Sequence, residues 1–311
     1  ILNSYKIELI ISKQYIINME QQEWNEYIGV SAFKSSQTIK AYKNNHTRLT
    51  DYLQMAIKET KPEEVIEAIK NLAENPNTRS SLLNTAIVFY NMGGKKTQKL
   101  IKYRIELDEE IKIFKKAKDA KKGETLPTIE ELNKYLKELY TTERWAEFIL
   151  NYLLMTFHTR NIDLDVEIVN SIHKTKADKT RNYLVVRKND IVYIRYRYKT
   201  VKTYGVKRNI FKSILVERAI RRLAEERGKD KPVFIMALKN GDRIVDSSYS
   251  NYVKNRTLNN ITEGDMAKIY VSHYVDEGDV DALRELSARR GTDLETLFAS
   301  YNIPQSLFPT A

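Results

Sequence analysis

The chain has 311 residues with a formal net charge of +11 at pH 7, and that length is enough for two domains with cores of their own. Its 42% hydrophobic and 30% charged residues exclude an intrinsically disordered chain. The absence of cysteine excludes disulfides, Cys-based zinc sites and a cysteine nucleophile, and it suits an intracellular protein.

The positive charge favours a polyanionic partner, because Lys and Arg side chains that bind phosphates release counterions. A generic basic protein is the alternative. The four histidines are not spaced as metal ligands on one helical turn, so we expect no metal and no cofactor. They are His46, His158, His173 and His273.

Residues 1–18 precede Met19 and contain a short apolar run interrupted by Lys6, Glu8 and Lys13. That run is too short to span a bilayer, and it lacks the small-residue cleavage site of a signal peptide. We interpret it as an upstream non-native or disordered segment. No other stretch is apolar enough to be transmembrane, so no membrane association is expected.

Residues 19–105 predict a small all-helical domain. One amphipathic helix begins near Ser36, and Pro62 opens a second. The segment 75–78 is predicted as a loop with a capping residue, and a third helix ends at Gly93.

Residues 106–125 are rich in lysine and predict a helix end that runs into a basic linker. Lys115 and Lys116 are candidate contacts to a DNA backbone. A linker that is merely solvated is an equal alternative.

Residues 126–311 predict a second domain, mainly α with a small antiparallel β-sheet. Thr128 and Glu131 form a capping box at its first helix. The alternating segments 182–187 and 191–198 predict a β-hairpin. Further helices are predicted at about 211–227, 248–256, 262–275, 279–288 and 292–302.

The first candidate catalytic motif is the segment 159–164, Thr-Arg-Asn-Ile-Asp-Leu, which follows an apolar helix. The guanidinium of Arg160 could donate two hydrogen bonds to a phosphate, with Asp163 orienting it or packing the turn. An arginine that binds helix carbonyls is the alternative.

The second motif is the segment 198–206, predicted to follow a β-strand. Lys199 is suited to proton transfer, because a lysine on a flexible stem shifts its pKa readily when desolvated. A solvated lysine is the alternative. The surrounding cations are candidate DNA contacts: Arg195, Arg197, Lys202, Lys207 and Arg208.

The third motif lies near the C-terminus, where Tyr301 follows Gly291 by ten residues. A tyrosine can attack phosphorus and form a covalent intermediate. It could equally be a core residue on the apolar face of a helix, and Thr292 with Glu295 also predicts a capping box there.

These motifs resemble the tyrosine recombinase (phage integrase) family, including its Cre-like members, over roughly residues 30–303. The resemblance implies a two-domain C-shaped DNA clamp, with a helical core-binding domain and a catalytic domain. Tyr301 would form a 3′-phosphotyrosyl link, Arg160 would stabilise the transition state and Lys199 would protonate the leaving 5′-oxygen. It also implies double-stranded DNA as the partner and a homotetramer on DNA.

The chain departs from the family pattern at three positions. Gly264 stands where the family has His, Ala267 where it has a second Arg, and Thr292 where it has His or Trp. Because loss of a charge-stabilising donor costs orders of magnitude in rate, activity depends on a substitute. Lys268 and Arg290 are the candidate substitutes.

Three other functions stay open: a DNA-binding protein that does not cut, a type IB topoisomerase, and a basic helical scaffold that binds RNA or protein. The abundance of Lys, Ile, Asn and Tyr favours an AT-rich coding genome, which would suit a virus or mobile element.

Overall fold

The computed structural model describes Trp24, Tyr27 and residues 36–170, 178–227, 232–244 and 248–302. The segment 1–18 lies outside the described residues. The chain forms two compact units, Ile1–Lys118 and Asp119–Ala311.

The described part of the first unit is helical. Prolines occupy the first positions of two helices, where the missing N–H costs nothing. The prediction of a loop at 75–78 is wrong beyond its first residue, because Asn75 caps a helix that begins at Pro76. The helices are α1 (Ser36–Leu53), α2 (Pro62–Leu72), α3 (Pro76–Met92) and α4 (Gln98–Gly123), with a 3-10 turn at Ile57–Glu59.

The core of the first unit forms between α1, α2, α3 and the start of α4. His46 is buried there, and its ring lies 4.4 Å from that of Phe89. The lysine-rich segment 106–125 is helical as far as Gly123, and the boundary between the two units falls within α4.

The second unit combines helices with one five-stranded sheet. The predicted capping box is confirmed: the Thr128 hydroxyl accepts from the Glu131 amide, and the Glu131 carboxylate accepts from the Thr128 amide. Its helices are α5 (Ile129–Thr141), α6 (Trp145–Phe157), α7 (Val201–Tyr204), α8 (Ile214–Arg227), α9 (Tyr249–Lys254), α10 (Glu263–Asp276), α11 (Val280–Arg290) and α12 (Leu294–Tyr301). Its strands are β1 (Val166–Val169), β2 (Asn182–Val186), β3 (Ile191–Arg195), β4 (Lys207–Phe211) and β5 (Val233–Phe234).

The sheet has the strand order β4-β3-β2-β1-β5. The predicted hairpin is confirmed as the antiparallel pair β2–β3. The expectation of a purely antiparallel sheet is wrong, because β1 pairs with β2 in parallel. The sequence also missed β1 and β4. β1 has only four residues and is interrupted by Glu167, and β4 is an edge strand that begins with three polar residues, so neither has a long apolar run.

Helices α6 and α8 pack against one another in the main core, which α10 and α12 complete. α6 is buried nearly all round and ends at His158, which adopts a left-handed conformation. That reversal leads the chain directly to Arg160 and β1. No helix among the described residues is both long enough and apolar enough to cross a bilayer.

The capping box gives a direct test of local stability. We expect Thr128→Ala to lower the free energy of unfolding by about 1 kcal/mol, because an amide at the start of α5 loses its partner. Urea denaturation measures the change. Glu130→Gln, an exposed change in the same turn, is the control and should cost only a few tenths of that.

Candidate active site

The last turn of α11 and the glycine after it present backbone carbonyls that no helical amide can satisfy. Each of these oxygens, at residues 288–291, accepts a hydrogen bond from a distant side chain; we call them the carbonyl cluster. Lys207 donates to the carbonyls of Ala288 and Arg289, at 3.4 Å for Arg289, and Arg195 donates to the Arg289 carbonyl at 2.8 Å. Arg160 donates to the Arg290 carbonyl at 2.7 Å, and the Thr200 hydroxyl donates to the Gly291 carbonyl at 2.8 Å. Cations are favoured here, because a helix C-terminus carries partial negative charge.

Gly291 is required at the centre of this cluster for two reasons. Its φ of +67° lies in the left-handed region that glycine adopts without strain. A Cβ atom would also lie 2.7 Å from the Thr200 hydroxyl and 3.0 Å from the Lys207 ammonium. A side chain would therefore push the β3–β4 connection away from α11.

Arg195 reaches the carbonyl cluster from inside the protein. Its guanidinium forms an ion pair of 3.1 Å with Asp163, and both side chains have no exposure. Burial raises the pKa of Asp163, although Arg195 acts in the opposite direction. The prediction of Arg195 as a DNA contact does not fit a fully buried side chain. Asp163, expected to orient Arg160, pairs with Arg195 instead.

Arg160 lies between α6 and a 3-10 turn at Asn161–Leu164. One terminal nitrogen donates to the Arg290 carbonyl at 2.7 Å. Burial lowers the pKa of Arg160, and the positive charge of Arg290 lowers it further. Arg160 thus binds a helix carbonyl, as the alternative interpretation expected, and does so beside a second guanidinium.

Tyr301 is the last residue of α12 and is partly buried. Its hydroxyl accepts a hydrogen bond of 3.0 Å from Nη2 of Arg290, and the guanidinium carbon lies 4.7 Å from the centre of the tyrosine ring. The capping box predicted for Thr292 and Glu295 is wrong. The N-cap of α12 is Asp293, which accepts from Thr296.

Arg290 is almost fully buried, with 1% of its side chain exposed, and it connects three elements. Nη1 donates to the His158 carbonyl at 3.1 Å, and Nη2 contacts Glu263 at 2.6 Å as well as Tyr301. Burial opposes the charge, but Glu263 and then Tyr301 outweigh it and raise the pKa of Arg290. Buried next to Arg289 and Arg290, His158 has a pKa lowered to about 3 and is uncharged.

Lys199 is exposed in the turn that precedes α7, and it forms no hydrogen bond or ion pair with the described residues. β3 ends four residues earlier, at Arg195. Of the other predicted DNA contacts, Lys202 and Arg208 are exposed, and Arg197 pairs with Asp165 at 3.0 Å. On α4, Lys116 is exposed and Lys115 is partly buried.

The two candidate substitutes for the missing second arginine have different surroundings. Lys268 forms an ion pair with Asp119, and Arg290 contacts Tyr301. Ala267 is buried in α10, and Gly264 lies in its first turn. The carbonyl of Thr292 accepts from the Ser287 hydroxyl.

The sequence analysis did not identify Glu263 and Thr200 as site residues, and it did not predict that Lys207 points toward α11. The capping pair Thr262–Asp265 could have located Glu263 in the first turn of α10. No local signal says that its carboxylate faces α11. Across the described residues, no three His, Asp or Glu side chains are grouped as metal ligands.

Comparison with known proteins finds a similarity in structure and none in sequence. No family model matches the chain, and no curated protein matches it. Among solved structures, the chain is similar to the crystal structure of XerA recombinase, with 12% identity and a TM-score of 0.38, over 95% of each chain.

Gly291 provides a sharp test of the carbonyl cluster. An alanine in the left-handed conformation carries a strain of about 1–2 kcal/mol. We expect Gly291→Ala to lower the free energy of unfolding by more than this, since its Cβ would also meet Thr200 and Lys207. Gly278→Ala is the matched control: its φ is +68°, but its Cβ would meet nothing within 4 Å. Equal losses in urea denaturation would mean that the close packing contributes nothing.

Lys207 provides a test by pH. Burial, followed by the charge of Arg195, lowers its pKa to about 8. Between about pH 8 and the ordinary lysine pKa of about 10.4, the folded chain binds fewer protons at Lys207 than the unfolded chain does. The contribution of Lys207 to the free energy of unfolding therefore increases as pH rises through that window.

We therefore expect wild-type stability to rise with pH relative to Lys207→Met over that window. Chemical denaturation at a series of pH values measures the difference. Lys202→Met, at an exposed lysine of α7, serves as the control. Identical pH dependence of wild type and Lys207→Met would contradict the assignment.

Proposed function

We propose that this chain binds double-stranded DNA and cleaves and rejoins it through a 3′-phosphotyrosyl link at Tyr301. The main support is the hydrogen bond of 3.0 Å between the Arg290 guanidinium and the Tyr301 hydroxyl, with Arg160 bound to the Arg290 carbonyl. A tyrosine oxygen can act as a nucleophile, and guanidiniums near it can stabilise the charge that develops on a phosphate.

In this reaction the Tyr301 hydroxyl loses its proton to solvent as its oxygen bonds to phosphorus, and the bond from phosphorus to the 5′-oxygen breaks. Arg160 and Arg290 stabilise the charge on the non-bridging phosphate oxygens. Arg290 thereby takes the place of the second arginine that is absent at Ala267. Rejoining reverses these steps, since the phosphotyrosyl bond conserves the energy of the broken phosphodiester.

Lys199 remains the proposed general acid for the leaving 5′-oxygen. It is exposed and has no partner among the described residues, so its flexible stem is available to reach a DNA strand. Lys202 and Arg208, exposed near it, would hold the phosphates on either side. A tetramer on DNA, expected from the family resemblance, belongs to the same proposal.

A second candidate function is DNA binding without cleavage. It is favoured by the burial of Arg290, whose terminal nitrogens already contact Glu263, His158 and Tyr301. On this alternative the Arg290 guanidinium stabilises the fold and a phosphate binds only at the surface.

Covalent trapping separates the two functions. The substrate is a pool of duplexes of randomised sequence, nicked so that cleavage frees a short 5′-hydroxyl fragment and leaves the protein on the 3′-phosphate. We expect a covalent adduct with the wild-type protein that mass spectrometry maps to Tyr301. Tyr301→Phe should abolish the adduct and retain DNA binding.

Tyr52→Phe is the matched control, because Tyr52 is an exposed tyrosine on α1, in the first unit, and could react without belonging to the site. We expect it to form the adduct at the wild-type rate. DNA binding by the wild-type protein without any adduct across the pool would favour the non-cleaving alternative.

A further inference from the structure

The Arg290 guanidinium is almost fully buried and lies near a second cation, Arg160. Arg160 lies on one side of it, and the positive charge of Arg290 lowers the pKa of Arg160 in turn. Nε of Arg290 is buried and has no hydrogen-bond partner among the described residues. A buried cation needs a compensating anion, because burial of an unpaired charge is strongly unfavourable.

Glu263 supplies that anion. Its carboxylate contacts Nη2 of Arg290 at 2.6 Å, and the same nitrogen donates to Tyr301 at 3.0 Å. Glu263 lies 20% exposed at the first residue of α10. Arg290 therefore bridges a carboxylate on one helix and a phenol on another.

The backbone that carries Glu263 is itself fixed. Thr262 and Asp265 form a reciprocal capping box around it, and the Asp265 carboxylate also pairs with Lys122 at 2.6 Å. Both flanking contacts hold the first turn of α10 in place. The Glu263 side chain thus extends to Arg290 from a rigid support, which is what precise orientation of a guanidinium needs.

We propose that Glu263 is a positioning residue whose carboxylate holds the Arg290 guanidinium against the Tyr301 hydroxyl. This role rests on the proposed function, since it matters for catalysis only if Tyr301 attacks DNA. Glu263 acts through Arg290 and touches no reacting atom. Without its charge, Arg290 would turn toward other acceptors, and Tyr301 would lose its fixed partner.

Glu263→Gln tests the assignment, because the amide keeps the size of the side chain and removes its charge. At saturating DNA we expect the rate of Tyr301 adduct formation to fall by about tenfold to a hundredfold, as misplacement of a catalytic group does. DNA affinity should not weaken, since the substitution removes a negative charge. Glu263→Asp, which keeps the charge, should recover part of the rate.

Glu285→Gln is the matched control. It removes a carboxylate that pairs with the neighbouring Arg289 on α11, and it leaves Arg290 and Tyr301 alone. We expect its adduct rate to equal that of the wild type. A Glu263→Gln rate that is unchanged or higher would overturn the positioning role, and a higher rate would mean that the carboxylate competes with the phosphate.

A measurement without DNA keeps this assignment distinguishable from the proposed function. Nitration of Tyr301 by tetranitromethane, quantified by mass spectrometry, should be slower in Glu263→Gln than in the wild type or Glu285→Gln, because the reagent attacks the phenolate, which loses its guanidinium donor when Arg290 turns away. Slower nitration with no DNA adduct in the wild type would support the contact and refute the cleavage function. Equal or faster nitration in Glu263→Gln would refute the positioning role.

Discussion

The packing of the second unit depends on the hydrogen-bond partners of the backbone carbonyls at the C-terminal end of α11. A helix end that is buried without partners for its carbonyls is strongly unfavourable, because each orphaned acceptor loses its water. Here the partners are cationic or hydroxyl side chains that come from the segment after α6 and from the β3–β4 region. The helix end thereby fixes the positions of Arg160, Thr200 and Lys207 in one set of contacts.

This arrangement concentrates positive charge, and two carboxylates balance it inside the protein. Asp163 neutralises Arg195 in a pair with no exposure, and Glu263 neutralises Arg290. Buried ion pairs contribute little net stability compared with apolar packing, but losing one partner is costly. Their value here lies in orientation, since each pair allows only one placement of a guanidinium that also binds α11 or Tyr301.

Much of the local structure could be predicted from the sequence, and the contacts of the site could not. Thr128 with Glu131 and the alternating residues of β2 and β3 are local signals, and both predictions hold. β4 escaped prediction because it is a polar edge strand. The segment around Arg160 was recognised by its residue order, but its contact with the Arg290 carbonyl spans 130 residues. The burial of Arg195 and the approach of Glu263 to Arg290 have the same long-range character, and no periodicity encodes them.

The contacts of the Arg290 guanidinium determine whether the site can bind a phosphate. A guanidinium has five N–H donors in a planar fork, and the contacts to His158, Glu263 and Tyr301 use three of them. One of the two that remain is Nε, which has no partner among the described residues. A phosphate that approaches Arg160 next to Tyr301 could draw on that donor only if Arg290 shifts slightly. On the proposed function, Glu263 keeps its contact with Arg290 when DNA binds, and Arg160 balances the charge of the phosphate.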